Sequence, residues 1–261
     1  MLLKVRTLLF LALISMSLFS TSAPSAASEP LSRLPQLARA TSANLPPSRP
    51  CPRRASDCMD ISATMTYPAF LRWAGQDVSR VWASAFAQAG LPWRNAHEIE
   101  IGSGSSAVSS CDPKERVFAS SGPFYCSHDS SGGTVYLPLS GIEQLLFPSG
   151  SYRSVDFALS YVVAHEWGHH VQDMLGLLDG RPSILIELQA DCLAGVWGHT
   201  AWARGLLSPG DIKKAIVAAD LAGDAPGTPA NAPDAHGSGA QRVAAFLAGY
   251  TTGRGSSCNR W

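Results

Sequence analysis

His165-Glu166-Trp167-Gly168-His169 stands inside an apolar stretch whose spacing predicts a helix. In an α-helix, residues four apart lie on one face, so His165 and His169 can point at one metal ion. Glu166 is turned about 100° from His165, near enough to address a water on that metal. The H-E-x-x-H spacing therefore suits two imidazole ligands with a carboxylate as general base. Two ligands do not complete such a centre, since three protein ligands and a water are expected.

The next helical pattern, from Ser183 to about Ala203, offers the third. Glu187 is followed four residues later, on the same face, by Asp191. That E-x-x-x-D spacing fits a carboxylate ligand followed by a carboxylate that orients a ligating imidazole, His165. The plain alternative is a solvated acidic face. Against it, the helix is apolar around the pair and carries no Lys or Arg before Arg204. Two buried carboxylates without a cation are costly, and a bound metal would resolve the cost.

Composition sets the outer limits. The chain has 261 residues, with 20 basic residues balancing 20 acidic ones, and it is long enough for a substantial core. Zero net charge argues against nucleic acid or an anionic membrane surface as partner. Residues 1–27 read as a signal peptide: Lys4 and Arg6, an apolar run from Leu8 to Phe19, then Ser25-Ala26-Ala27 before the cut. The run is short for a membrane span, so no stable membrane insertion is expected after cleavage. Residues 28–59 are rich in Pro, Ser and Ala and read as a linker or arm, leaving 60–261 as the functional domain.

Export changes the meaning of Cys51, Cys58, Cys111, Cys126, Cys192 and Cys258. An oxidising compartment favours disulfides, and six cysteines allow 15 connectivities. Proximity in sequence suggests Cys51–Cys58 and Cys111–Cys126, leaving Cys192 for Cys258. That last bridge would tie the end of the chain to the helix carrying Glu187.

Along the chain, Tyr67–Gly90 carries a helical stripe of Phe70, Trp73, Ala74, Val78, Val81, Trp82, Ala85 and Phe86, read as core. Strands are expected near Glu98–Ile101, Arg116–Ala119 and Thr134–Leu137, with Glu98–Ile101 as the edge facing an extended substrate. The motif helix is expected to start at the N-cap Ser154 and the next at the N-cap Ser183. Further helices are expected over Ser208–Leu221 and Ser238–Thr251. His170 points off the metal-binding face, and His199, near a helix end, is read as a dipole contact.

Two runs together carry a family resemblance: Ala164-His-Glu-Trp-Gly-His-His-Val-Gln172 and Glu187-Leu-Gln-Ala-Asp-Cys-Leu-Ala-Gly-Val-Trp197. With Gly122-Pro-Phe-Tyr-Cys126, Asp129, Val135-Tyr-Leu137, His236-Gly-Ser238 and Gln241-Arg242, they resemble the bacterial putative neutral zinc metallopeptidases, of gluzincin type. The resemblance covers roughly Cys111 to Trp261. The stretch around Asp220 and Gly223-Asp224 departs from it, being Ala/Gly/Pro-rich where more acidic residues are expected.

The resemblance implies an α+β, zincin-like fold: a small, mostly antiparallel sheet packed on a helical body. It implies one catalytic Zn²⁺ on His165, His169 and Glu187, a peptide or protein substrate, and Glu166 as general base. His236, in a Gly-flanked turn before a helix, is the candidate to stabilise the oxyanion, with Tyr125, Tyr136 and Tyr161 behind it. The expected location is secreted or in the cell envelope. The competing readings are a zinc amidase or aminopeptidase on cell-wall or short peptides, and a zinc-binding protein without turnover.

Overall fold

The computed structural model describes residues 66–127, 132–147, 156–207 and 210–261. The signal segment 1–27, the arm 28–59, Cys51, Cys58, His128, Asp129, Ser154, Ser208 and Pro209 lie outside them.

Helix α1, Tyr67–Ala89, starts with proline in its first turn and closes at Gly90, which adopts φ 70°. Its stripe from Phe70 to Phe86 is buried as the periodicity requires, with Trp73 partly so. Five strands follow: β1 (His97–Ile101), β2 (Ser106–Val108), β3 (Arg116–Phe118), β4 (Phe124–Cys126) and β5 (Thr134–Pro138). Three of them form a sheet in the order β1-β5-β4, while β2 and β3 make a separate antiparallel ribbon. Strand β5 is central and buried along its whole length.

Two expectations need correcting. Strand β1 runs parallel to β5 and β4 antiparallel to it, so the three-stranded sheet is mixed rather than mostly antiparallel. Strands β2 and β4, with three residues each, are too short to show a period-two pattern. Helix α2, Leu139–Leu146, follows β5 directly and is likewise too short to show its period in the sequence.

The helical body consists of α3 (Asp156–Met174), α4 (Ser183–Ala203), α5 (Asp211–Leu221) and α6 (Gly239–Thr252), with a 3₁₀ turn at Gly255–Cys258. Pro182, not Ser183, precedes α4 as its cap residue, and Ser183 is the first helical residue. Ser238 caps α6 through a capping box with Gln241. One core joins α1, β5 and the helices, centred on Trp82, Phe157, Trp197 and Phe246.

Helices α4 and α6 pack almost backbone to backbone. A Cβ on Gly195 would stand 2.0 Å from Phe246 O, and one on Gly249 would stand 1.9 Å from Cys192 O. Gly168, inside the His165–His169 run, does the same for α3 and α4: its Cβ would meet Ala190 O at 2.9 Å. The small residue between the two histidines thus lets the helix bearing Glu187 approach them. Cys111–Cys126 and Cys192–Cys258 are both at disulfide distance, with Cα separations of 5.5 and 5.6 Å.

Candidate metal centre

The His165-Glu166-Trp167-Gly168-His169 run lies within α3, and Glu187 projects from the first half of α4. Potential ligand atoms of His165, His169 and Glu187 lie within 4.8 Å of one another, the one such group among the described residues. His165 Nε2 is 3.1 Å from Glu187 Oε2, and His169 Nε2 is 3.4 Å from Glu187 Oε1. The imidazole rings meet edge to face, with centroids 4.7 Å apart.

The opposite ring nitrogens are already engaged. His165 Nδ1 is 2.8 Å from Asp191 Oδ1, and His169 Nδ1 is 2.9 Å from Gln172 Oε1. Each imidazole therefore presents Nε2 to the same point, beside a carboxylate. The donor set of two nitrogens and one carboxylate suits Zn²⁺, with further coordination left for water or substrate.

The surroundings also favour positive charge there. Burial pulls His165 down, but the Asp191 carboxylate more than offsets this and lifts it to about 10. Burial pushes Glu187 up, while the neighbouring imidazoles hold it well below the usual carboxylate range. Glu166 is buried beside the trio, its pKa raised by burial, and its Oε2 has no hydrogen-bond partner. A buried carboxylate oxygen left unpaired is costly, which marks it as awaiting a proton donor.

Asp191 is fully buried and accepts four hydrogen bonds. Besides His165, they come from Tyr161 Oη at 2.5 Å, Arg242 Nε at 2.9 Å and Arg242 Nη2 at 3.0 Å. Arg242 overturns one step of the sequence argument. Asp191 does have a cation, supplied by α6 and invisible to any scan of α4 alone. Arg242 Nη1 also reaches Ala222 O at 2.8 Å, joining the α5–α6 loop to the same network. Arg204 pairs with Asp77 of α1 instead.

The trio opens into a cleft of about 470 Å³. Its lining includes Gly122–Tyr125, which runs into β4, together with Val162, Ile186, His236 and Arg242. The edge strand beside the centre is therefore β4, and β1 lies across β5 from it. Glu98 of β1 instead accepts a bond from the Trp167 indole, at 3.0 Å.

His236 reaches this cleft with its side chain 48% exposed. Asp224 holds it: Oδ2 accepts from the His236 and Gly237 backbone N–H groups at 2.9 and 2.8 Å, and Oδ1 is 3.3 Å from His236 Nδ1. The Ala/Gly/Pro-rich loop thus contributes one carboxylate that seats the histidine. The three tyrosines are committed elsewhere. Tyr161 donates to Asp191, Tyr125 to Asp173 at 2.6 Å, and Tyr136 to Val108 O at 3.2 Å.

His170 faces away from the trio, 2.7 Å from Arg94 O, and burial lowers it to about 4. His199 donates to Tyr250 O of α6 at 2.7 Å, so it bridges two helices rather than ending its own.

The family model described as putative neutral zinc metallopeptidase matches residues 53–261. The chain belongs to that family. It is 39% identical over 158 residues to Uncharacterized protein YpfJ of Escherichia coli strain K12, covering 53% of each chain. It is 35% identical over 211 residues to Uncharacterized protein Rv2575 of Mycobacterium tuberculosis strain H37Rv and to Uncharacterized protein Mb2605 of Mycobacterium bovis, covering 71% of this chain and 67% of each relative. The chain spans about half the length of the Escherichia coli relative. No solved structure matches it.

Proposed function

We propose that the chain is an exported, zincin-like peptidase that hydrolyses peptide bonds at the centre formed by His165, His169 and Glu187. One observation carries the proposal. Two imidazole Nε2 atoms and a carboxylate converge beside a buried second carboxylate, Glu166, whose Oε2 lacks a partner. Zinc bound there supplies Lewis acidity, making water a competent nucleophile near neutral pH and polarising the scissile carbonyl.

Glu166 takes the proton of the attacking water and delivers it to the departing amine. Burial, which raises its pKa, also makes the proton transfer productive. Asp191 holds the His165 ring and Arg242 keeps Asp191 ionised, so the ligand's orientation is set before substrate arrives. His236, seated by Asp224, donates a hydrogen bond to the oxygen on which charge develops. Strand β4 lies at an edge of its sheet and lines the cleft, which places an extended substrate backbone alongside it.

Among the described residues, the acidic side chains lining the cleft are Glu166 and Glu187. Export is supported by the two disulfide-distance pairs, which suit an oxidising compartment. No helix among the described residues is long and apolar enough to cross a membrane.

The test is zinc quantification with a digest of blocked and free peptides, wild type beside Glu166→Gln. The variant is expected to keep zinc and lose activity about 100-fold or more. A zinc-loaded Glu166→Gln enzyme with normal turnover would remove Glu166 from this role, and a folded wild type that takes up no zinc would overturn the whole reading.

A further inference from the structure

Gln172 and Gln189 play no part in the chemistry above, yet both are fully buried. Buried amides are costly unless their donors and acceptors are paired, and here the pairing has a direction. Gln189 Nε2 donates to the main-chain carbonyls of Cys258 at 3.0 Å and Trp261 at 3.3 Å. Carbonyls can only accept, so Gln189 Oε1 must point the other way. There it accepts from Arg181 Nη1 at 2.8 Å and Gln172 Nε2 at 3.0 Å.

Gln172 Nε2 also donates to Ile186 O at 2.8 Å, the carbonyl just before Glu187. Both of its hydrogens are then committed, which leaves Oε1 facing His169 Nδ1 at 2.9 Å. An amide oxygen can only accept, so Nδ1 must carry a hydrogen. In neutral imidazole the lone pair is then on Nε2, the nitrogen turned toward Glu187.

We propose that Gln172 is the positioning residue of His169, and that Gln189 sets its orientation from the carbonyls of Cys258 and Trp261. The proposal rests on the metal-centre reading above. His165 is oriented by a carboxylate and His169 by a neutral amide, so the second ligand is fixed without adding another buried charge. The Cys192–Cys258 bridge holds one of the anchoring carbonyls against α4, which connects the last turn of the chain to the ligand geometry.

Zinc affinity, measured by competition against a chromophoric chelator on the full chain, tests this without reference to turnover. Gln172→Leu is expected to weaken zinc binding about 10- to 100-fold. Gln172→Glu keeps an acceptor for Nδ1–H and should lose clearly less affinity than Gln172→Leu. A packing role predicts the reverse order, because Gln172→Glu loses both donated bonds and sets an anion against two oxygens. Wild-type affinity in Gln172→Leu, or an equal loss in Gln172→Glu, overturns the proposal. If Gln172→Leu does not fold, Gln189→Leu takes its place: a several-fold loss supports the relay and unchanged affinity overturns it. A wild type that binds no zinc fails at the earlier step, and takes this inference with it.

Discussion

Arg242 and His236 stand on either side of what a residue-level reading can reach. Arg242 is 4% exposed and holds Asp191, which is itself fully buried, through two hydrogen bonds. Removing one partner of such a pair leaves the other charge stranded, so Arg242→Met is expected to cost about 3–5 kcal/mol in urea denaturation. A loss below about 1 kcal/mol would show that Tyr161 and His165 satisfy Asp191 alone. His236 is half exposed and held by a loop, so its removal should spare the fold. His236→Ala is expected to lower kcat about 100- to 1,000-fold at unchanged zinc content, and unchanged kcat would return the oxyanion role to another group. The candidate ligands His165, His169 and Glu187 were legible because helical spacing places them. Arg242 was not, because no local pattern links it to a carboxylate 51 residues earlier.

At the scale of elements, the centre depends on how closely α3, α4 and α6 approach. Gly249 and Gly195 bring α6 against α4, and Gly168 brings α4 against α3. A methyl at Gly249 would lie 1.9 Å from Cys192 O, inside backbone that has no side-chain freedom to yield. Gly249→Ala is therefore expected to destabilise by about 3 kcal/mol in thermal or chemical denaturation, and to weaken zinc binding by separating Arg242 from Asp191. A variant as stable as wild type would show that the helices can slide without disturbing the core. The long helices were readable because α1 repeats its apolar positions over several turns and α4 is a long, mostly apolar run. Strand β4 and helix α2 were not, since three and eight residues carry too few periods to distinguish strand, helix and turn.

Across the whole molecule, Glu98 couples the sheet to the motif helix. Burial, followed in effect by repulsion from Glu100, raises it to about 7 despite the hydrogen bond from Trp167. A carboxylate whose folded pKa lies above its unfolded value of 4.5 stabilises fully below that value, and its contribution is lost as pH rises through about 7. Glu98→Gln should match wild type near pH 5 and exceed it near pH 8, by roughly 2 kcal/mol after discounting partial exposure. A difference that is flat from pH 5 to 8 in thermal melts would refute the coupling. The His165–His169 pair, the adjacent Glu166, the Glu187–Asp191 face and the helical body around them could be read from the chain, because all of these follow from spacing within single helices. Which strand borders the cleft, which cation pairs with Asp191 and which amide faces His169 emerge only once the chain is folded. Those depend on groups brought together from distant parts of the chain by packing, and packing leaves no period to read.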